Sequence, residues 1–101
     1  MQKDPELIRA LEALRNRFGD TMVVVDHWEG DLMAVGVARK GAEQQIAYIS
    51  VKTGSKGPTF YVALEYPAER GSDMPYASGG DHDDLSLADA ADIVAGHLGL
   101  P

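Results

Sequence analysis

Four β-branched or aromatic runs, separated only by short turns, set the strongest limit on what this chain can fold into. Thr21 to Trp28, Leu32 to Arg39, Gln45 to Lys52 and Thr59 to Tyr66 each have the length and composition of a strand. Between them stand Glu29-Gly30-Asp31, the stretch from Lys40 to Gln44 with Gly41, and the stretch from Thr53 to Pro58. Parallel pairing needs a crossover of about a dozen residues or more, which none of these turns supplies. The runs are therefore read as an antiparallel meander in chain order.

An amphipathic segment lies at each end. Asp4 is a good N-cap, and Pro5 fits the first helical position, where its missing N–H costs nothing. Leu7, Leu11, Leu14 and Phe18 recur on one helical stripe, Arg15 and Arg17 suit the carbonyl end, and Gly19 suits the stop. A helix over about 5–18 follows. Near the other end, Ser86-Leu87-Ala88-Asp89 resembles a capping box, with Asp in place of Glu. Leu87, Ala90, Ala91, Val94 and Leu98 form a stripe, His97 sits in the last turn, and Gly99 and Pro101 end the helix. The expected fold is α+β: a four-stranded antiparallel meander sheet flanked by N- and C-terminal helices, in the order α-β-β-β-β-α. A length of 101 residues suits one domain, 1–101. Pro67 to Asp84, with two prolines, three glycines and neither period, reads as a long irregular loop.

The strands alternate poorly. Met22 to Val25, Leu32 to Ala38 and Ile46 to Ile49 have few polar breaks, whereas a sheet with one wet face should alternate. Two readings fit. A homodimer or another partner covers the face that the helices leave open, or small residues (Ala34, Gly36, Ala38, Ala47, Ala63) line that face and make it only mildly apolar.

Charge is unevenly placed. Residues 1–64 carry eight bases and eight acids, whereas residues 65–101 carry eight acids and Arg70 alone, so the net charge of −7 belongs to the last third. Such a surface repels a phosphate backbone, which argues against nucleic-acid binding, and it would steer a basic partner. With no cysteine there is no disulfide, thiolate metal site or cysteine nucleophile. The acids and proline near Met1 do not resemble a signal peptide, and no run approaches the roughly 18 apolar residues of a membrane span. A cytoplasmic protein that does not enter the membrane is the expectation.

Asp81-His82-Asp83-Asp84 is the densest set of potential ligands, but four consecutive residues on a glycine-rich loop match neither a calcium loop nor a helical zinc motif. Asp26 and His27 are neighbours on a strand, so they point to opposite faces and do not form an acid/base pair. Gly54-Ser55-Lys56-Gly57 lacks the spacing of a phosphate loop and leads into a strand. Trp28, the single tryptophan, stands beside a turn, where an interface anchor or a core cap would sit.

No cofactor is implied, and most enzyme chemistries lack their residues. The favoured reading is a small acidic, non-enzymatic protein-interaction module of the inhibitor, immunity, chaperone or adaptor type found among small bacterial proteins. That comparison rests on size and charge alone. Asp81, His82, Asp83, Asp84 and Trp28 are its candidate binding residues, with a homodimer through the sheet face as a further expectation. The alternative is a small-ligand or metal-binding domain, extending to a hydrolase, that uses His27, His82 and loop carboxylates.

Overall fold

The computed structural model describes residues 4–25, 32–68, 70, 71, 73 and 76–100. Helix α1 (Pro5–Phe18) begins where the Asp4 side chain accepts the Glu6 N–H at 2.9 Å, and it ends at Gly19, whose φ of +60° suits a residue without Cβ. A short 3₁₀ turn (Gly19–Thr21) leads into β1 (Met22–Val25), and the chain continues through β2 (Ala34–Arg39), β3 (Ala42–Gly54) and β4 (Gly57–Pro67). Strand β5 (Tyr76–Leu85) and helix α2 (Leu87–Leu98) complete the order.

The sheet is an antiparallel meander with strand order β1-β2-β3-β4-β5. The α+β class and both helices stand as expected, but the sheet has five strands rather than four. The fifth comes from residues 76–85, in the stretch read as loop. Its sequence, with Gly79, Gly80 and three aspartates, has poor strand propensity. Pairing with the open side of β4 holds it extended, and two register shifts, between Phe60/Val62 and Ala63/Glu65, show how irregular that pairing is.

The turns do what their lengths require. Ser55 and Lys56 close the β3–β4 hairpin with Gly54 opposite Gly57, so the Gly-Ser-Lys-Gly run is a hairpin tip. Gly57 there has φ +102°, a conformation that a side chain would oppose. At the other end of β3 the register jumps from Ala38↔Ile46 to Arg39↔Ala42, leaving residues 43–45 looped out.

Both helices lie on one face. Leu7, Ala10, Leu14 and Phe18 of α1 and Ala90, Val94, Ala95 and Leu98 of α2 share one core with Val35, Val37, Ala47, Ile49, Phe60 and Val62 of the sheet. Fully burying a large aliphatic side chain is worth roughly 1.5–3 kcal/mol. Leu7, Val35, Val37, Ile49, Val62 and Val94, all under 2% or at most 2% exposed, are thus the main anchors of this layer. Arg17 of α1 reaches Asp92 of α2 at 2.8 Å in an exposed ion pair, a kind of contact that contributes little. None of the helices among the described residues is long and apolar enough to cross a membrane.

The far face of the sheet, away from the helices, follows from the register. Val25, Gly36, Tyr48, Ala63 and Asp81 succeed one another across it, and Val23, Ala38, Ile46, Glu65 and Ser78 form the next row. Ala34, Gly36, Ala38 and Ile46 are buried there, and Tyr48, Tyr61 and Ala63 are half-buried. Of the small residues expected on this face, Ala34, Gly36, Ala38 and Ala63 lie on it, whereas Ala47 faces the helices and belongs to the core. The poor alternation of β2 thus has a direct cause: its residues from Ala34 to Ala38 are buried on both faces.

Candidate functional site

The acidic run of the sequence becomes a strand at the sheet edge, and strand geometry divides it. Paired residues of an antiparallel ladder point to the same side, and successive residues point to opposite sides. Asp81 stands opposite Ala63 and faces the far side, whereas His82 stands opposite Val62 on the helix side. Asp83 returns to the far side, where its Oδ2 lies 3.5 Å from Lys52 Nζ. Asp84 takes a left-handed backbone, φ +53°, and donates its N–H to Asp83 Oδ1 at 2.8 Å. Aspartate is among the non-glycine residues that tolerate that conformation best, and it leads the chain into α2. All four residues are exposed.

Two tyrosines complete the far-side strip. The Tyr61 hydroxyl donates to Asp81 Oδ2 at 2.9 Å, and the Tyr48 ring meets the Tyr61 ring edge to face with centroids 6.2 Å apart. The bond to Asp81 raises the Tyr61 phenol above its ordinary value of 10.0, with desolvation adding to it. The charge of Asp81, and more distantly Tyr48 and Asp83, push the same way, since each disfavours a phenolate. The strip therefore presents two amphipathic rings, two carboxylates and Lys52 on one surface. It offers hydrogen-bond acceptors and flat apolar area.

The four-residue run does not converge as a ligand set. With Asp81 and Asp83 on one face and His82 on the other, a single ion cannot meet all three. Among the described residues, no group of three or more His, Cys, Asp or Glu side chains is arranged to hold a metal. Trp28 and His27, the remaining candidates, lie outside the described residues.

A concavity lies where the β2–β3 turn meets the end of α2. A groove of about 310 Å³ is lined by Arg39, Ala42, Gln45 and the stretch from Gly96 to Gly99. Gln45 Nε2 donates to the His97 carbonyl at 2.6 Å and Arg39 to the Gly99 carbonyl at 3.3 Å, so both side chains satisfy the open end of the helix. The looped-out residues 43–45 bring Gln45 to that position. His97 itself is buried, 8% exposed. Its Nε2 lies 3.0 Å from the Glu65 carbonyl, which can only accept, so Nε2 carries the proton. Its ring meets Tyr66 edge to face at 4.8 Å, and its buried Nδ1 has no hydrogen-bond partner among the described residues. His97 is thus a packing residue that ties α2 to β4, in addition to lying at the dipole-favoured helix end.

Sequence reasoning missed Tyr48, Tyr61 and Lys52 as members of the site. Their signal lay in the alternation of Ala47, Ile49 and Val51 against Tyr48, Ser50 and Lys52, which the apolar run from Ile46 to Ile49 obscures. A like alternation sets Phe60, Val62 and Leu64 against Tyr61, Ala63 and Glu65. Comparison of the chain with protein families, curated proteins and solved structures found no match.

Proposed function

We propose that this chain is a non-enzymatic protein-interaction module that receives a basic segment of a partner protein along the far-side strip of Tyr48, Tyr61, Asp81 and Asp83. The observation that carries the reading is the joining of Tyr61 to Asp81 beside Tyr48. Half-buried aromatic rings next to carboxylates suit an arginine- or lysine-bearing segment, since the rings take the apolar stems and the acids take the charges. The excess of acid in residues 65–101 would speed the encounter. An inhibitor, immunity, chaperone or adaptor role is compatible with such a strip. A ligand or metal site built on His82 would need further donors on the helix side of β5, and Asp81 and Asp83 point away from that side.

The test is affinity capture from native lysate at low salt, comparing the wild-type chain with Asp81→Lys/Asp83→Lys and with Tyr48→Ala. A partner that engages the strip is recovered by the wild type and lost, by about tenfold or more, from both variants and from the wild type in ~0.5 M salt. Equal recovery by all three proteins overturns the reading.

A further inference from the structure

The far-side strip already holds a cation of its own. Lys52 Nζ lies 3.5 Å from Asp83 Oδ2, and the two side chains are 68% and 51% exposed. We propose that the strip selects arginine over lysine in the partner's basic segment, and that Lys52 is the resident cation which the incoming arginine displaces. This inference rests on the reading of the strip as the receiver of a basic segment, and it adds which base the strip takes.

The register puts Tyr61 at the centre. On β3, Tyr48, Ser50 and Lys52 share the far side, with Ser50 opposite Tyr61, so Tyr48 and Lys52 flank the Tyr61 ring. On β5, Asp81 and Asp83 lie beyond it on the same side. Tyr61 donates to Asp81 Oδ2 at 2.9 Å. Its ring and that of Tyr48 are both half-buried and meet at 73°, so the two planes cannot both lie flat on the sheet. One of them stands up from it as a wall.

Lysine and arginine differ on such a surface. A partner lysine reaching Asp83 replaces Lys52 by its equivalent, one exposed ammonium for another, and exposed pairs of this kind contribute little. A guanidinium is planar, more weakly hydrated than an ammonium, and carries its donors in a fixed fork. It can lie against a tyrosine ring while its edge bonds a carboxylate, so it makes both contacts at once. Acceptors remain for it. An ionised carboxylate has about four acceptor sites. The Tyr61 hydroxyl takes one on Asp81, and the Asp84 N–H takes one on Asp83. Exchange at this strip therefore favours the side chain that adds a stacked ring and a second hydrogen bond to the charge it replaces.

Two short peptides test it, one arginine-rich and the other identical but with lysine at each arginine. Each is titrated into the full chain at ~0.02 M salt, where screening is weak, and amide chemical shifts are followed. The arginine peptide moves the amides of residues 48, 61, 81 and 83 and binds about threefold or more tighter than the lysine peptide, the size of a stacking contact at an exposed site. Tyr48→Leu/Tyr61→Leu, which keeps apolar bulk without a ring, brings the two affinities together. Lys52→Ala tightens both peptides by about twofold or more, since Asp83 is then vacant. Equal or tighter binding of the lysine peptide at the same amides overturns the selection of arginine and leaves the basic-segment reading standing. Binding that Lys52→Ala leaves unchanged or weakens overturns the displacement. If neither peptide moves these amides the inference falls, and lysate capture decides the broader reading separately. Should the double leucine variant not fold, the comparison of peptides on the unmodified chain decides.

Discussion

At the scale of single residues, neighbours in sequence and neighbours in space differ sharply in this chain. Asp81 and His82 are adjacent, yet the sheet lies between their side chains. Tyr61 and Asp81 are twenty positions apart and share a hydrogen bond. The consequence for Tyr61 is measurable. Its phenol is raised above 10.0 in the folded protein, first by the bond to Asp81. A raised value means that the neutral phenol is favoured by folding. Its stabilising effect is complete below pH 10.0 and is lost as pH rises through the folded-state value. In an absorbance titration near 295 nm, Asp81→Asn should lower the midpoint of this one phenol toward 10.0, with the folded baseline otherwise unchanged. An unshifted midpoint would mean that the bond does not persist in solution. Gly79 shows the same kind of local constraint. A Cβ placed there would stand 2.7 Å from Tyr66 Cε2 and 3.1 Å from Leu64 Cβ, so the strand needs a residue without a side chain where the Tyr66 ring crosses it. From sequence, that glycine reads only as a breaker.

At the scale of elements, the helices were fully legible because their signals are local. The α1 stripe, its Asp4 cap and its Gly19 stop all lie within the segment they define, and the structure places α1 over the range expected. For α2, the Ser86 hydroxyl accepts the Asp89 N–H at 3.1 Å, and Gly99 ends the helix in a left-handed conformation. Removing the cap with Ser86→Ala should cost about 1 kcal/mol in urea denaturation, with no change in the slope against denaturant. A loss under a few tenths would mean that packing alone holds the first turn. Strands β1 to β4 were legible from β-branched runs and turn chemistry, with ends displaced by at most three residues where they can be compared, the expected end of β1 at Trp28 lying outside the described residues. Strand β5 was not, because nothing within residues 76–85 favours it. Its extended form comes from the hydrogen-bonding groups that β4 would otherwise leave unpaired. The site inherited that error: while the run was read as loop, its side chains had no faces. His97 illustrates another limit. A histidine in a last helical turn suits the dipole whether it is wet or buried, and only the position of the Glu65 carbonyl distinguishes the two.

At the scale of the whole chain, the described fold measures 45 × 26 × 26 Å and carries its charge lopsidedly. Of the acids of β5 and α2, Asp81, Asp83 and Asp92 bond to Tyr61, Lys52 and Arg17 respectively. The remaining excess repels itself in the folded state more than in an expanded one. Raising ionic strength from ~0.01 to ~0.15 M shortens the screening length from about 30 to about 8 Å. The melting temperature should therefore rise by a few degrees. A fall would show that the three bonded pairs outweigh the repulsion. The order of strands has a further consequence, for the route by which the chain folds. Every strand pairs with the strand next to it along the chain, so each pairing closes only a short loop and costs little chain entropy. Such low-contact-order topologies fold quickly for sheet proteins. The β3–β4 hairpin, with its two-residue tip and its unbroken register, is the natural nucleus from which pairing spreads outward. Strand β5 joins across the longer connection of residues 68–75 and in an interrupted register, so it docks late in folding and opens early in unfolding. The acidic edge strand should be the part of this molecule that is made last and lost first.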